Sequence, residues 1–164
     1  MRIAPGGLVL EPASGAFDVT VAPGENVQAA VDACPAGGCV LLLPGTHAGP
    51  LVLTTGKVVH VFGRGRALLK TSTGAVVMSE AATSTLDGLI IRREASRNDE
   101  EEEAEEKSHG VWIKGGRLQL LACDVTCAKR DAKCVVSEGG ADPVLSSCKC
   151  VRARSPSGIV WECE

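Results

Sequence analysis

Tyrosine is missing from this chain, and only four aromatic side chains occur: Phe17, Phe62, Trp112 and Trp161. A core of large rings is therefore excluded, and Val, Leu, Ile, Ala and Cys must fill the interior. Such small, branched side chains suit stacked, narrow sheets. The same shortage argues against a sugar-binding platform, which would normally add further aromatic rings. No apolar run approaches the roughly 20 residues that cross a bilayer as a helix. The N-terminal stretch MRIAPGGLVLEPASG carries one Arg and an apolar run, broken by Gly, that is too short for a secretory leader. The chain therefore reads as soluble and cytoplasmic, with no membrane partner.

Cysteine is present but sparse for a disulfide-built scaffold: eight in 164 residues. Basic residues are not concentrated either. The formal net charge is −3, and the segment DEEEEAEE at 99–106 holds seven of the 20 acids, leaving 13 acids against 17 bases elsewhere. That mildly basic body lacks the concentrated stripe that nucleic-acid binding requires.

What is present is a succession of short apolar runs. Residues 1–16 are rich in Gly and Pro and read as an arm or an edge strand. Phe17 to Val21 alternates as a strand, and Val27, Ala30, Val31 and Cys34 then fall at i, i+3, i+4 and i+7, an apolar stripe on a helix of about three turns ended by Pro35. After Gly37-Gly38 comes a buried strand stopped by Pro44-Gly45. From there on runs such as PLVL, VVHVFG, ALLK, AVVM, LDGLII, GVWI, RLQLLACDVT, CVVSEGG, VLSSCKC and GIVW alternate with turn residues, and no helical period recurs.

The spacing repeats. Val111, Val135 and Ile159 are 24 residues apart, as are Gly115-Gly116 and Gly139-Gly140. A second signature recurs in Leu86/Leu89/Ile91, Leu120/Cys123/Val125 and Leu145/Cys148/Cys150. From Gly74 to Gly110 the spacing widens to 36, an excess equal to the 12-residue acidic segment 97–108, which reads as an insertion looping out of a regular coil. One coil cannot bury its own inner face, so coils must stack, with Leu89, Cys123 and Cys148 in one ladder and Ile91, Val125 and Cys150 in another. The expected fold is all-β, a right-handed parallel β-helix of about five coils. Its parts are an arm at 1–16, a capping strand and helix at 17–38, and coils at 39–164.

The run VTVAPGENVQAAVDACPAGGCVLLLPGTH, followed by the LDGLII and LACDVT units, resembles the start of right-handed β-helix domains of the pectin-lyase-like superfamily. The resemblance covers roughly residues 18–164. It implies the fold and leaves several activities open, because that superfamily includes polysaccharide lyases and hydrolases, carbohydrate-binding proteins, and non-catalytic β-helices attached to F-box and scaffold proteins.

Chemistry is thinly signalled. A lyase needs a cation site paired with a base, and an inverting hydrolase needs two carboxyl groups flanking one bond. The strands offer Asp87 and Asp124, with Lys149 placed beside Asp124 on the next coil, and a lateral charge pair is the plainer account of those two. No catalytic set, cofactor motif or zinc spacing is assigned. Cys34 and Cys39 are the pair best spaced for a disulfide, while buried free thiols serving as small ladder residues are the favoured reading of the cysteines. Trp112 projects outward between inward Val111 and Ile113. With Val76, Val136 and Val160 it would form an apolar outer row, either covered by another part of the chain or used as a partner surface. Ile159, Val160 and Trp161 lie in what reads as a strand of the next repeat, an uncapped end suited to end-to-end self-association. These features favour a non-catalytic binding or assembly module whose partner is a protein or a second copy. A carbohydrate-active enzyme acting on a polysaccharide is the alternative.

Overall fold

The computed structural model describes residues 16–80, 83–95, 109–128 and 132–152, with backbone alone at 152, and the strand backbone of 2–4, 7–9 and 161–162. Strands β1 (Arg2–Ala4) and β2 (Gly7–Val9) pair antiparallel as a separate two-stranded sheet. Next come β3 (Val19–Val21) and the only helix among the described residues, α1 (Val27–Ala33).

Five windings follow. The first is β4 (Gly38–Leu42), β5 (Gly45–Ala48) and β6 (Leu51–Leu53); the second is β7 (Val59–Gly63), β8 (Ala67–Thr71) and β9 (Val77–Ser79). The third is β10 (Thr83–Asp87), β11 (Ile90–Arg93) and β12 (Val111–Ile113); the fourth is β13 (Arg117–Leu121), β14 (Asp124–Cys127) and β15 (Val135–Ser137). The fifth is β16 (Val144–Ser146) and β17 (Lys149–Arg152). Strands at the same stage of each winding pair in parallel, giving a first sheet β3-β4-β7-β10-β13-β16, a second β5-β8-β11-β14-β17 and a third β6-β9-β12-β15. The chain is thus an all-β parallel solenoid of about five turns.

The reason lies in side-chain alternation. In β7, Val59 and Val61 enter the core while His60 and Phe62 leave it, and the same parity runs through β10 and β13. The expected ladders are present: Leu86, Leu120 and Leu145 are in register, as are Ile91, Val125 and Cys150, and Val111 stands beside Val135. Leu89, Cys123 and Cys148 stack through the adjoining turns, where Asp124 N–H donates to Leu89 O at 2.9 Å and Lys149 N–H to Cys123 O at 2.9 Å.

Three expectations are corrected. The helix is seven residues long rather than three turns; the Asn26 side chain caps its start by accepting from Ala29 N–H at 3.0 Å, and its C-cap Cys34 is already extended just before Pro35. The widened winding has an offset of 34 residues, Val77 pairing with Val111, so the residue in register with Trp112 is Met78 and not Val76. Finally, the strand at the chain's end does not continue the third sheet in parallel. β18 (Trp161–Glu162) runs antiparallel against β17, with Trp161 opposite Cys150. Ile159, Val160 and the whole acidic segment 97–108 lie outside the described residues. No helix among the described residues is long and apolar enough to cross a membrane.

Candidate functional site

Alternation sends Leu41, Phe62, Asp87 and Leu121 to the outer face of the first sheet, in one row across β4, β7, β10 and β13. Leu41, Phe62 and Leu121 are nonetheless buried, at 6%, 5% and 5% exposure, and none belongs to the interior core cluster. This outer face is therefore covered rather than bare. Phe17, just ahead of β3, packs edge-on against Phe62 with ring centroids 5.6 Å apart.

At the turn edge of this face the cover stops and a groove of about 370 Å³ opens, lined by Phe17, Phe62, Gly63, Arg64, Gly65, Asp87, Gly88 and Ala122. The Arg64 guanidinium carbon lies 5.5 Å from the Phe17 ring centroid, a cation–π arrangement that holds a positive charge at the rim. Asp87 brings a carboxylate from the end of β10. The floor is main chain: a Cβ at Gly63 would come within 2.7 Å of Gly88 O, and one at Gly88, whose φ is +68°, within 2.9 Å of Gly63 O. The groove thus offers one cation, one anion, aromatic edges and peptide groups, a set suited to holding a small polar ligand or chain segment.

The other sequence candidates are dispersed. Asp124 and Lys149 are register neighbours on the second sheet, as expected, but neither lines the groove. Among the described residues the ion pairs are Lys70–Glu94 at 3.0 Å, Lys114–Glu80 at 3.1 Å and Arg117–Asp142 at 3.9 Å, so Asp124 and Lys149 adjoin without pairing. Trp112 does face outward from the third sheet, flanked in register by Met78 and Val136, with Val52 beyond Met78. It is only 7% exposed: Lys114 Nζ stands 4.6 Å over its ring and His109 meets it edge-on at 6.4 Å. Val76 is wholly buried in the core and leaves the row, while Val160 is outside the described residues. Arg64 and the buried outer row of the first sheet were not anticipated. Their signal was the doubled apolar residues in CVLLL and LQLL, where strict alternation would put a polar residue on the outer face.

The thiols cluster in the last two windings. Every cysteine among the described residues is free, Cys34 and Cys39 included. Burial, followed by the nearby Asp18 carboxylate, raises the pKa of both Cys34 and Cys39. Cys123 and Cys148 share a thiol–thiol hydrogen bond that lowers Cys148 to about 7 and raises Cys123. A similar contact with Cys134 lowers Cys127. Among the described residues, no three His, Cys, Asp or Glu side chains gather as a metal site.

No protein-family model matches the chain, and no curated protein or solved structure matches it either.

Proposed function

We propose that the chain is a right-handed β-helix of the pectin-lyase-like kind, closed at its N-terminal end by α1, that acts as a non-catalytic binding or assembly module and pairs with a second copy through its last coil. The order of strand, helix, Gly-Gly turn and Pro-Gly exit supports the kinship. The burial of Val27 and Val31 of α1 in the common core supports the capping role.

The observation that carries the assembly reading is the state of the last ladder. Leu86 and Leu120 are wholly buried, whereas Leu145, next in register, is only half-buried, as are Val144, Ser146, Val135 and Val136. β18 covers part of the second sheet's edge, but among the described residues the first and third sheets stop at β16 and β15. Edge strands present unpaired N–H and C=O groups that accept another strand. With the opposite end closed by α1 and β3, the contact joins two like ends and gives a two-fold pair rather than a filament.

Sedimentation equilibrium across a wide concentration range tests this. A dimer is expected, with Leu145→Lys shifted to monomer because a charge is placed on the shared edge. A wild-type protein that remains monomeric at the highest concentration would defeat the proposal.

A second reading draws on Asp87 and Arg64 sharing one groove, since a carbohydrate-active enzyme would use an acid and a base together. Only one of the groove's lining residues is a carboxylate, whereas inverting hydrolysis needs two flanking the scissile bond. Uronate polymers, assayed with and without calcium, separate the readings, and robust cleavage would favour the enzyme.

A further inference from the structure

We propose that Cys123 and Cys148 are a reversible redox couple, a dithiol that closes to a disulfide between the fourth and fifth windings when a hydroperoxide oxidises it.

The two cysteines hold equivalent places in successive windings. Each directly follows a non-glycine residue in the left-handed region, Ala122 at φ 50° and Ser147 at φ 55°. Main-chain bonds on either side lock that correspondence: Ala122 N–H donates to Ser146 O at 2.9 Å, and Lys149 N–H to Cys123 O at 2.9 Å. Stacking at strand spacing sets their Cα atoms roughly 4.8 Å apart, inside the span of about 4.4–6.8 Å that a disulfide bridges. Both side chains point into the same ladder, where Cys123 S–H donates to Leu86 O at 3.4 Å and Cys148 S–H to Leu120 O at 3.2 Å, and the two thiols are near enough to shift each other's pKa. The preceding rung of the ladder is Leu89, so the pair has no third sulfur on that side.

Two features fit a couple that opens again. The neighbouring Cys123 thiol lowers the pKa of Cys148 to about 7, which favours its thiolate, the nucleophilic form, near neutral pH. Side chains in register on parallel strands also run side by side, so their Cβ atoms lie near strand spacing, wider than the roughly 3.5–4.5 Å of a relaxed disulfide. A bridge formed there is strained and correspondingly easy to reduce.

The steps balance. The Cys148 thiolate attacks the outer peroxide oxygen, the O–O bond breaks, and the departing alkoxide or hydroxide takes up the proton that Cys148 released. Cys148 is then a sulfenic acid. The Cys123 sulfur attacks that sulfur, the S–O bond breaks, and the oxygen leaves as water with the Cys123 proton. The two thiols lose two electrons and the peroxide gains two. A cellular dithiol reverses the change by exchange.

The test uses the whole wild-type chain. Reduced protein is treated with one equivalent of hydrogen peroxide at neutral pH, its remaining thiols are blocked, and it is digested with trypsin and Asp-N together. Cleavage before Asp124 and Asp142 and after Arg117, Lys133 and Lys149 places Cys123, Cys127, Cys134, Cys148 and Cys150 on separate peptides. The expected product links peptides 118–123 and 142–149, the free-thiol titre falls by two, and dithiothreitol restores it. Cys123→Ser is expected to leave Cys148 as a sulfenic acid, trapped by dimedone at the same dose, with thermal unfolding checking that the variant is folded. Cys148 found as sulfinic acid in the wild type, or a bridge found only between Cys127 and Cys134, would overturn the proposal.

Discussion

Gly63 and Gly88 face each other across the groove floor, and neither tolerates a methyl group for the same reason: each would drive a Cβ into the other's carbonyl oxygen. At Gly88 a left-handed φ of +68° adds the steric cost of a side chain in that region. Gly88→Ala is therefore expected to destabilise by about 2–3 kcal/mol, whereas Ala122→Gly, at the equivalent turn one winding on, relieves strain and gains at most about 1 kcal/mol. Urea unfolding of the two variants measures both, and equal effects would contradict the geometry. Glycine also shows where reading by residue type fails. Gly74 and Gly110 look like repeats of one position, and anchoring on them displaced the register by two residues. Gly74 is an open turn residue with φ +59°, but Gly110 is forced by crowding, since a Cβ there would meet Cys134 O and Val125 Cγ1, each at 2.6 Å. Two unrelated causes produced one letter, and Val76 was assigned to the surface as a result.

At the scale of elements, strands of alternating Val, Leu and Ile were legible because each inward side chain has a like neighbour on the next winding. β5 was not legible. Pro44-Gly45 reads as a stop, and the inward residue of Gly45–Ala48 is His47, wholly buried with its Nε2 2.8 Å from Leu43 O. One polar residue in the interior hid the period. The helix was read from its apolar stripe, but its length was overstated because Cys34 belongs to that stripe while its backbone has already turned to extended. The ladders also grade in energy along the stack. Leu120→Ala, at a fully buried rung, is expected to lower stability by about 3 kcal/mol, and Leu145→Ala, at a half-buried rung, by about 1 kcal/mol or less when measured at a concentration low enough to keep the chain monomeric. Denaturant titration of both distinguishes a graded stack from a uniform core, and equal losses would argue that the last rung is as enclosed as the others.

At the scale of the molecule, the 24-residue repeat exposed the stacking because a solenoid reuses one set of contacts at every winding. The groove and the covered outer face were harder to see. Phe17 and Phe62 are 45 residues apart, and Arg64 and Asp87 line the groove from successive windings, so only the closed coil brings them to one place. The strands on either side of the acidic segment, β11 and β12, each keep register with their neighbours. All of the site geometry depends on that register. It is tested most directly by measuring scalar couplings across hydrogen bonds by NMR on the deuterated, uniformly labelled chain. The expected correlations join Asp124 N–H to the Leu89 carbonyl, Lys149 N–H to that of Cys123, and Val111 N–H to that of Cys134. Couplings from these three amides to carbonyls of antiparallel hairpin neighbours instead would contradict the stacked-coil account.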